Sequence, residues 1–336
     1  MHVKIAVSSY QARAATAVKQ TQSLKETRNA PIFATGFHWM RNIARKAQGS
    51  QKIGKKPAMQ KPPLTIYSTD NMDNRPVLFL DSGIGGIPYC RDFMARNRRE
   101  SVCYLADREN FPYGERSKED LIAILTALTE KVIKTINPKI AVLACNTATV
   151  SALASLRQNF PRLSFVGTVP AIKPAAENGK KIGVLGTART IDDPYNQNLA
   201  GGDCEIFGIA AAELVEFVEN RFEEADENEK KEIVRKYVSR FSAGGTDAIV
   251  LGCTHFLYLA EDFRREAAPS IKIFDSLDGI TKRIESLLDE DGGALRAERD
   301  SEPENFFLLT GKQPPDSVWR KRALGFDLRL LHEKSI

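Results

Sequence analysis

Two cysteines end nearly identical phrases of this sequence. Ile140-Ala-Val-Leu-Ala-Cys145-Asn146-Thr147 and Ala248-Ile-Val-Leu-Gly-Cys253-Thr254-His255 each run from an aliphatic strand through a small residue to a thiol, then to short polar side chains. A thiol at a strand-to-helix junction meets unpaired backbone N–H groups and the positive end of the helix dipole, which favour a thiolate. Two such thiols, one from each copy of a half-repeat, can face one ligand from opposite sides and exchange protons with it. Asp81 closes the first aliphatic run of the body and opens the loop Ser82-Gly83-Ile84-Gly85-Gly86; it would be the proton acceptor on one side. His255, two residues beyond Cys253, would be the acceptor on the other. It is the only histidine inside the body, since His2 and His38 precede it and His332 lies near the far terminus. Cys90, Cys103 and Cys204 read as small buried hydrophobes.

The elements that hold these groups repeat one pattern: a short aliphatic run, a polar or glycine-rich end, then ten to twenty residues of helical character. The runs are 76–80, 102–106, 140–144, 163–166, 182–185, 205–209, 248–251 and 271–274, with amphipathic stretches such as 118–137 and 229–241 between them. This predicts an α/β fold with mostly parallel sheets and helices on both faces. In open parallel sheets the ligand crevice lies at the carboxyl ends of the strands, so the polar residues there are the candidates: Ser82, Asn146, Thr147, Thr187, Thr254 and Ser276. Each can cap a helix and, facing the crevice, also bind a carboxylate. Glu213 and Glu216, three apart on a helix, share a face, most simply a solvated one.

With 336 residues the chain is long enough for two domains, and 42% hydrophobic with 27% charged residues is ordinary globular usage. There is no run of eighteen apolar residues and no apolar leader, so the cytoplasm is the expected location and a membrane partner is not. Five scattered cysteines without a CxxC pair exclude a disulfide framework and a zinc site. The net charge of +5 suggests nucleic acid until it is divided along the chain. Residues 1–71 carry 12 Lys and Arg against 2 Asp and Glu, which leaves the body mildly acidic and argues against a nucleic-acid partner. That basic segment sustains no hydrophobic period and reads as a disordered or non-native extension, Met72 being followed at once by the first strand.

Together the motifs Asp81-Ser-Gly-Ile-Gly-Gly, Pro112-Tyr113-Gly114, Cys145-Asn-Thr-Ala, Gly186-Thr187 and Gly252-Cys-Thr-His255 resemble, in order and interval, the glutamate racemases of the cofactor-independent aspartate/glutamate racemase superfamily. The likeness covers residues 75 to 330, including the closing segment Phe306-Phe-Leu-Leu-Thr-Gly311. It implies two pseudo-symmetric α/β domains, 72–170 with 277–330 and 171–276, the active site lying in the cleft between them. The implied activity is interconversion of L- and D-glutamate, supplying D-glutamate for peptidoglycan and hence for cell-wall biogenesis and cell shape. By motif match Cys145 and Cys253 are the acid/base thiols, with Asp81 and His255 in support. Ser82, Tyr113, Gly114, Asn146, Thr147, Thr187 and Thr254 are the substrate-binding set, and Glu216 is an accessory acid near the histidine. No feature demands pyridoxal phosphate or a metal, and enzymes of this kind often form homodimers. Leu257 stands where the family usually has proline. Two alternatives remain: a racemase for aspartate or another amino acid, against which Cys-Thr-His in place of Cys-Thr-Glu argues, and a non-catalytic anion-binding regulator of the same fold.

Overall fold

The central aliphatic runs fold as strands because their β-branched and leucine residues are buried on both faces between layers of helix. The computed structural model describes residues 73–192, 199–201, 204–298 and 300–332. The basic segment 1–71, and the expectations placed on it, lie outside them. The described residues belong to one compact unit.

In chain order the elements are β1 (Val77–Asp81), α1 (Ile87–Arg96), β2 (Val102–Ala106), α2 (Lys118–Thr135), β3 (Ile140–Leu143), α3 (Asn146–Asn159) and β4 (Ser164–Gly167). There follow α4 (Ile172–Ala176), β5 (Lys181–Gly186), α5 (Ala188–Asp192), β6 (Glu205–Ala210), α6 (Ala212–Asn220), α7 (Glu227–Ala243), β7 (Ala248–Leu251), α8 (Ala260–Ala267) and β8 (Lys272–Phe274). The last are α9 (Leu277–Asp289), β9 (Phe306–Leu309), α10 (Ser317–Gly325) and β10 (Arg329–His332). Local chemistry sets the boundaries. Ser117 caps α2 by accepting the Asp120 N–H at 3.0 Å, and Asp226 with Glu229 forms a capping box at the start of α7.

Two sheets result, one of six strands in the order β10-β9-β2-β1-β3-β4 and one of four in the order β6-β5-β7-β8, every pairing parallel. The segment β2-β1-β3-β4 and the sheet β6-β5-β7-β8 therefore share one topology, which gives the half-repeat seen in the cysteine phrases a structural form. Corresponding bonds extend it: Ala144 N–H donates to Leu80 O at 2.8 Å in one sheet, and Gly252 N–H to Leu185 O at 2.6 Å in the other. One hydrophobic cluster joins residues of both sheets, from Val77 and Phe79 of β1 to Ile249 and Leu251 of β7. β9 and β10, absent from the eight runs picked out in the sequence, extend the first sheet beyond β2.

Candidate active site

In each sheet the strand order turns back on itself beside the first strand of its repeat, and ligands in open α/β sheets bind at such a switch point. Asp81 ends β1 and Cys145 follows β3 at that point of the six-stranded sheet. Thr187 follows β5 and Cys253 follows β7 at the equivalent point of the other. The two ends meet directly. Asn146 Nδ2 donates to the carbonyl of Gly252 at 2.6 Å, joining the residue after one cysteine to the residue before the other. Thr254 Oγ1 donates to Asp81 Oδ2 at 3.1 Å, and the hydroxyls of Thr147 and Thr187 are 3.1 Å apart.

Cys145 and Cys253 are buried but not sealed, each residue being 8% exposed, whereas Cys90 and Cys103 are fully enclosed in the core. Cys145 occupies the cap position before α3. Burial, reinforced by the charge of Asp81, pushes its thiol well above the ordinary range, although the N–H groups of Ala148 and Thr147 act the other way. The expected helix-end effect is present in direction, but desolvation outweighs it, so the resting group is a thiol. Cys253 leads into a six-residue helical segment of 3₁₀ type, Thr254–Leu259, rather than directly into an α-helix. Leu257 lies in that segment, partly buried against the core.

Asp81 is fully buried, and its carboxylate accepts from Gly83 N–H at 3.1 Å, Ser82 Oγ at 3.3 Å and Thr254 Oγ1. Desolvation raises its pKa, against the pull of the His255 charge. Its influence on Cys145 is electrostatic. His255 lies between two partners: Nδ1 is 3.6 Å from Cys253 Sγ and Nε2 is 2.7 Å from Glu219 Oε1. Burial alone would lower its pKa, but the bonds to Cys253 and Glu219 raise it well above the ordinary imidazole value. Close approach of the loop after β1 permits this, since a Cβ on Gly85 would lie 2.5 Å from His255 Nδ1 and 2.6 Å from Thr254 Oγ1.

The acid beside the histidine is Glu219, and Glu216, expected in that role, is exposed. Glu213 and Glu216 occupy the solvated face of α6, where Glu213 pairs with Lys236. Glu219, four residues after the partly buried Val215, lies on the inward side, and that spacing was the available signal. Glu219 Oε1 also accepts the Ile84 N–H at 2.7 Å, so one carboxylate oxygen ties the loop after β1 to His255. Burial raises its pKa, but the His255 hydrogen bond and charge, with help from Ile84 and Arg322, hold it below the ordinary value.

Tyr113 is buried and donates to Asp107 Oδ2 at 2.7 Å, while Thr310 Oγ1 donates to Asp107 Oδ1 at 2.6 Å. Asp107 thus fixes the Tyr113-Gly114 turn, and Gly114 passes beside Thr187. Asn146 Oδ1 is buried with no protein partner, and the bond made by Nδ2 fixes which amide atom is the oxygen. It is an acceptor available to a ligand's ammonium. Among the described residues no cluster of metal-ligating side chains is found, and no helix is long and apolar enough to cross a membrane.

Comparison with known proteins finds relatives among the racemases. The family described as Asp/Glu/Hydantoin racemase matches residues 91–283. The glutamate racemase of Bartonella tribocorum is 37% identical over 276 residues, covering 77% of this chain and 96% of that protein. The glutamate racemase of Treponema pallidum is 39% identical over 220 residues, covering 64% and 82% respectively. Among solved structures, Escherichia coli glutamate racemase, in complex with L-glutamate and the activator UDP-MurNAc-ala, superposes with a TM-score of 0.67 at 28% identity, covering 77% of this chain and 97% of that one. The chain belongs to the Asp/Glu/hydantoin racemase family and, within it, to the glutamate racemases, a family of isomerases.

Proposed function

We propose that this protein interconverts L- and D-glutamate by passing the α-proton between Cys145 and Cys253, and that its D-glutamate supplies peptidoglycan synthesis in the cytoplasm. One thiolate takes the α-hydrogen as a proton, leaving its electron pair on Cα and the adjacent carboxylate. The opposite thiol returns a proton to the other face and becomes the thiolate, so the sulfurs trade states with every turnover. Because the enantiomers have equal energy, the protein need only lower the barrier, and two acid/base groups suffice.

The observation that carries the reading is the convergence of the two cysteine loops through the Asn146–Gly252 and Thr254–Asp81 bonds. Bound substrate completes the electrostatics: its ammonium opposes the burial and the Asp81 charge that together hold Cys145 as a thiol, and Asn146 Oδ1 can accept from it. The hydroxyls and N–H groups of Ser82, Thr147, Thr187 and Thr254, with the Tyr113-Gly114 turn, suit the two carboxylates and the charge that develops beside Cα. We read residues 72–170 with 277–330 as one domain and 171–276 as the other. Membership of the two sheets supports this division, as does the packing of α9 on α1 and β4.

The test is incubation with L-glutamate, and separately with L-aspartate, in heavy water. D-Glutamate carrying one α-deuterium is expected, with aspartate left unchanged. Cys145→Ser and Cys253→Ser should each lower turnover about 10³-fold, the scale of a lost acid/base group. Conversion that survives both substitutions would refute the thiol pair.

A further inference from the structure

We propose that Arg322, on α10, is a positioning residue that fixes Glu219 and, through it, His255 beside Cys253. The chemical consequence rests on the racemase reading, whereas the geometry stands apart from it. Arg322 is 7% exposed, rare for an arginine that is not held by partners. Each guanidinium nitrogen faces an acceptor: Nη2 donates to the Glu219 carbonyl, Nη1 lies 3.6 Å from Glu219 Oε2, and Nε donates to Glu223 Oε1 at 3.0 Å. Its Cζ stands 5.1 Å from the centroid of the Trp319 ring, one turn earlier on the same helix.

Glu219 needs this partner for two reasons. It is the penultimate residue of α6, whose last carbonyls lack intrahelical N–H donors, so Arg322 satisfies one of them at the negative end of the helix dipole. Its Oε1 already accepts from Ile84 N–H and His255 Nε2, and Arg322 is the cation on Oε2. A buried carboxylate deprived of its cation either takes up a proton or turns away, and both loosen its hold on the imidazole. A line of direct contacts thus runs from α10 to the sulfur: Arg322, Glu219, His255, Cys253.

Arg322 lies between two open clefts, one of about 470 Å³ beside Ser82 and Gly83, the other of about 720 Å³ beside Ile84 and Tyr258. Its hydrogen bonds and the Trp319 ring hold it there, and a methionine, shorter than arginine, fits without overpacking.

The ionisable groups around Glu219 are His255 and Tyr258 from the 254–259 segment, Asp81 from β1, Tyr104 from β2, and Arg322 from α10, with Glu223 sharing the arginine. His255 and Arg322 are the cations that face these carboxylates. Removing Arg322 takes one buried positive charge from beside Glu219, so the cluster keeps its protons to higher pH.

The test compares Arg322→Met and Arg322→Lys with the wild type in melting temperature, in the pH profile of racemisation, and in the His255 ring N–H resonance, assigned with His255→Gln. Arg322→Met should lower kcat about tenfold with a smaller effect on KM and move the acid limb of the profile up by about half a pH unit or more. It should also shift or broaden the His255 Nε2–H signal. Arg322→Lys keeps a cation but loses the fork, and should show a smaller displacement in the same directions; it carries the test if Arg322→Met does not fold. A profile and a resonance that overlay the wild type overturn the proposal, as does an activity loss that only follows the melting temperature with the resonance unmoved. A wild type that does not racemise glutamate, while its resonance still responds to Arg322→Met, refutes the proposed function and supports the coupling.

Discussion

The tolerance of the site for added atoms is smallest at Gly83. A β-carbon there would fall on the carboxylate of Glu219. Gly83→Ala should therefore dislodge Glu219 from His255 while the fold survives, and racemisation should fall at least about tenfold with little change in the far-ultraviolet circular dichroism. Retention of full turnover would show that the Glu219–His255 contact is dispensable. The residues that were legible in the sequence, Asp81, Cys145, Cys253 and His255, are those whose position follows from being next to a strand end. Glu219 and Arg322 were not, because each reaches the cleft from a helix through a single inward spacing that apolar neighbours obscure. The charge state of Cys145 was also hidden: the helix-end pattern is visible in sequence, but the depth of burial that outweighs it is not.

At the scale of elements, all eight runs read from the sequence are strands; β1, β2, β3 and β7 are buried on both faces and leave an unbroken aliphatic signature, while the more exposed β6 and β8 keep a shorter one. β9, Phe306–Leu309, is a fully buried apolar run like the others but follows the polar stretch 298–305 rather than a helix, and β10, Arg329–His332, lies at the sheet edge with only two apolar residues between polar ones. The ends of the strands away from the cleft carry their own fastening. Lys139, just before β3, pairs with Glu100 at 2.5 Å in complete burial and donates to the carbonyl of Asp73, while Glu100 accepts the Ala297 N–H at 3.1 Å. Desolvation pulls the Lys139 pKa down, against the attraction of Glu100. Lys139→Met removes the near cation of the buried Glu100 carboxylate and leaves only the Arg296 guanidinium, 4.0 Å from Oε1, which costs about 3 kcal/mol and should lower the melting temperature by roughly 10 °C. Turnover at 25 °C should be unaffected, since the cleft lies at the opposite strand ends. A melting temperature within about 2 °C of the wild type would show that the pair contributes nothing net.

For the whole molecule, the buried groups of the cleft link stability to pH. His255 has a folded pKa raised above its ordinary 6.5, so its contribution is complete below that value and is lost as pH rises through the folded one. Cys145 is raised above 9.0, so the unfolded chain releases that proton first and stability falls further above pH 9. The melting temperature should therefore decline from neutral pH upward, and His255→Gln should flatten the decline between about pH 6.5 and 9. Equal slopes in the two proteins would mean that His255 is not charged in the fold.

The six-stranded sheet is assembled from two stretches of chain, since β5 to β8 lie between β4 and β9. On the ribosome the four-stranded sheet is complete once residue 274 has emerged, whereas its partner waits for the last strands before its order is filled. A transcript cut short before β9 would thus yield a chain with both sulfurs in place but without the strand that flanks β2 or the helix that carries Arg322.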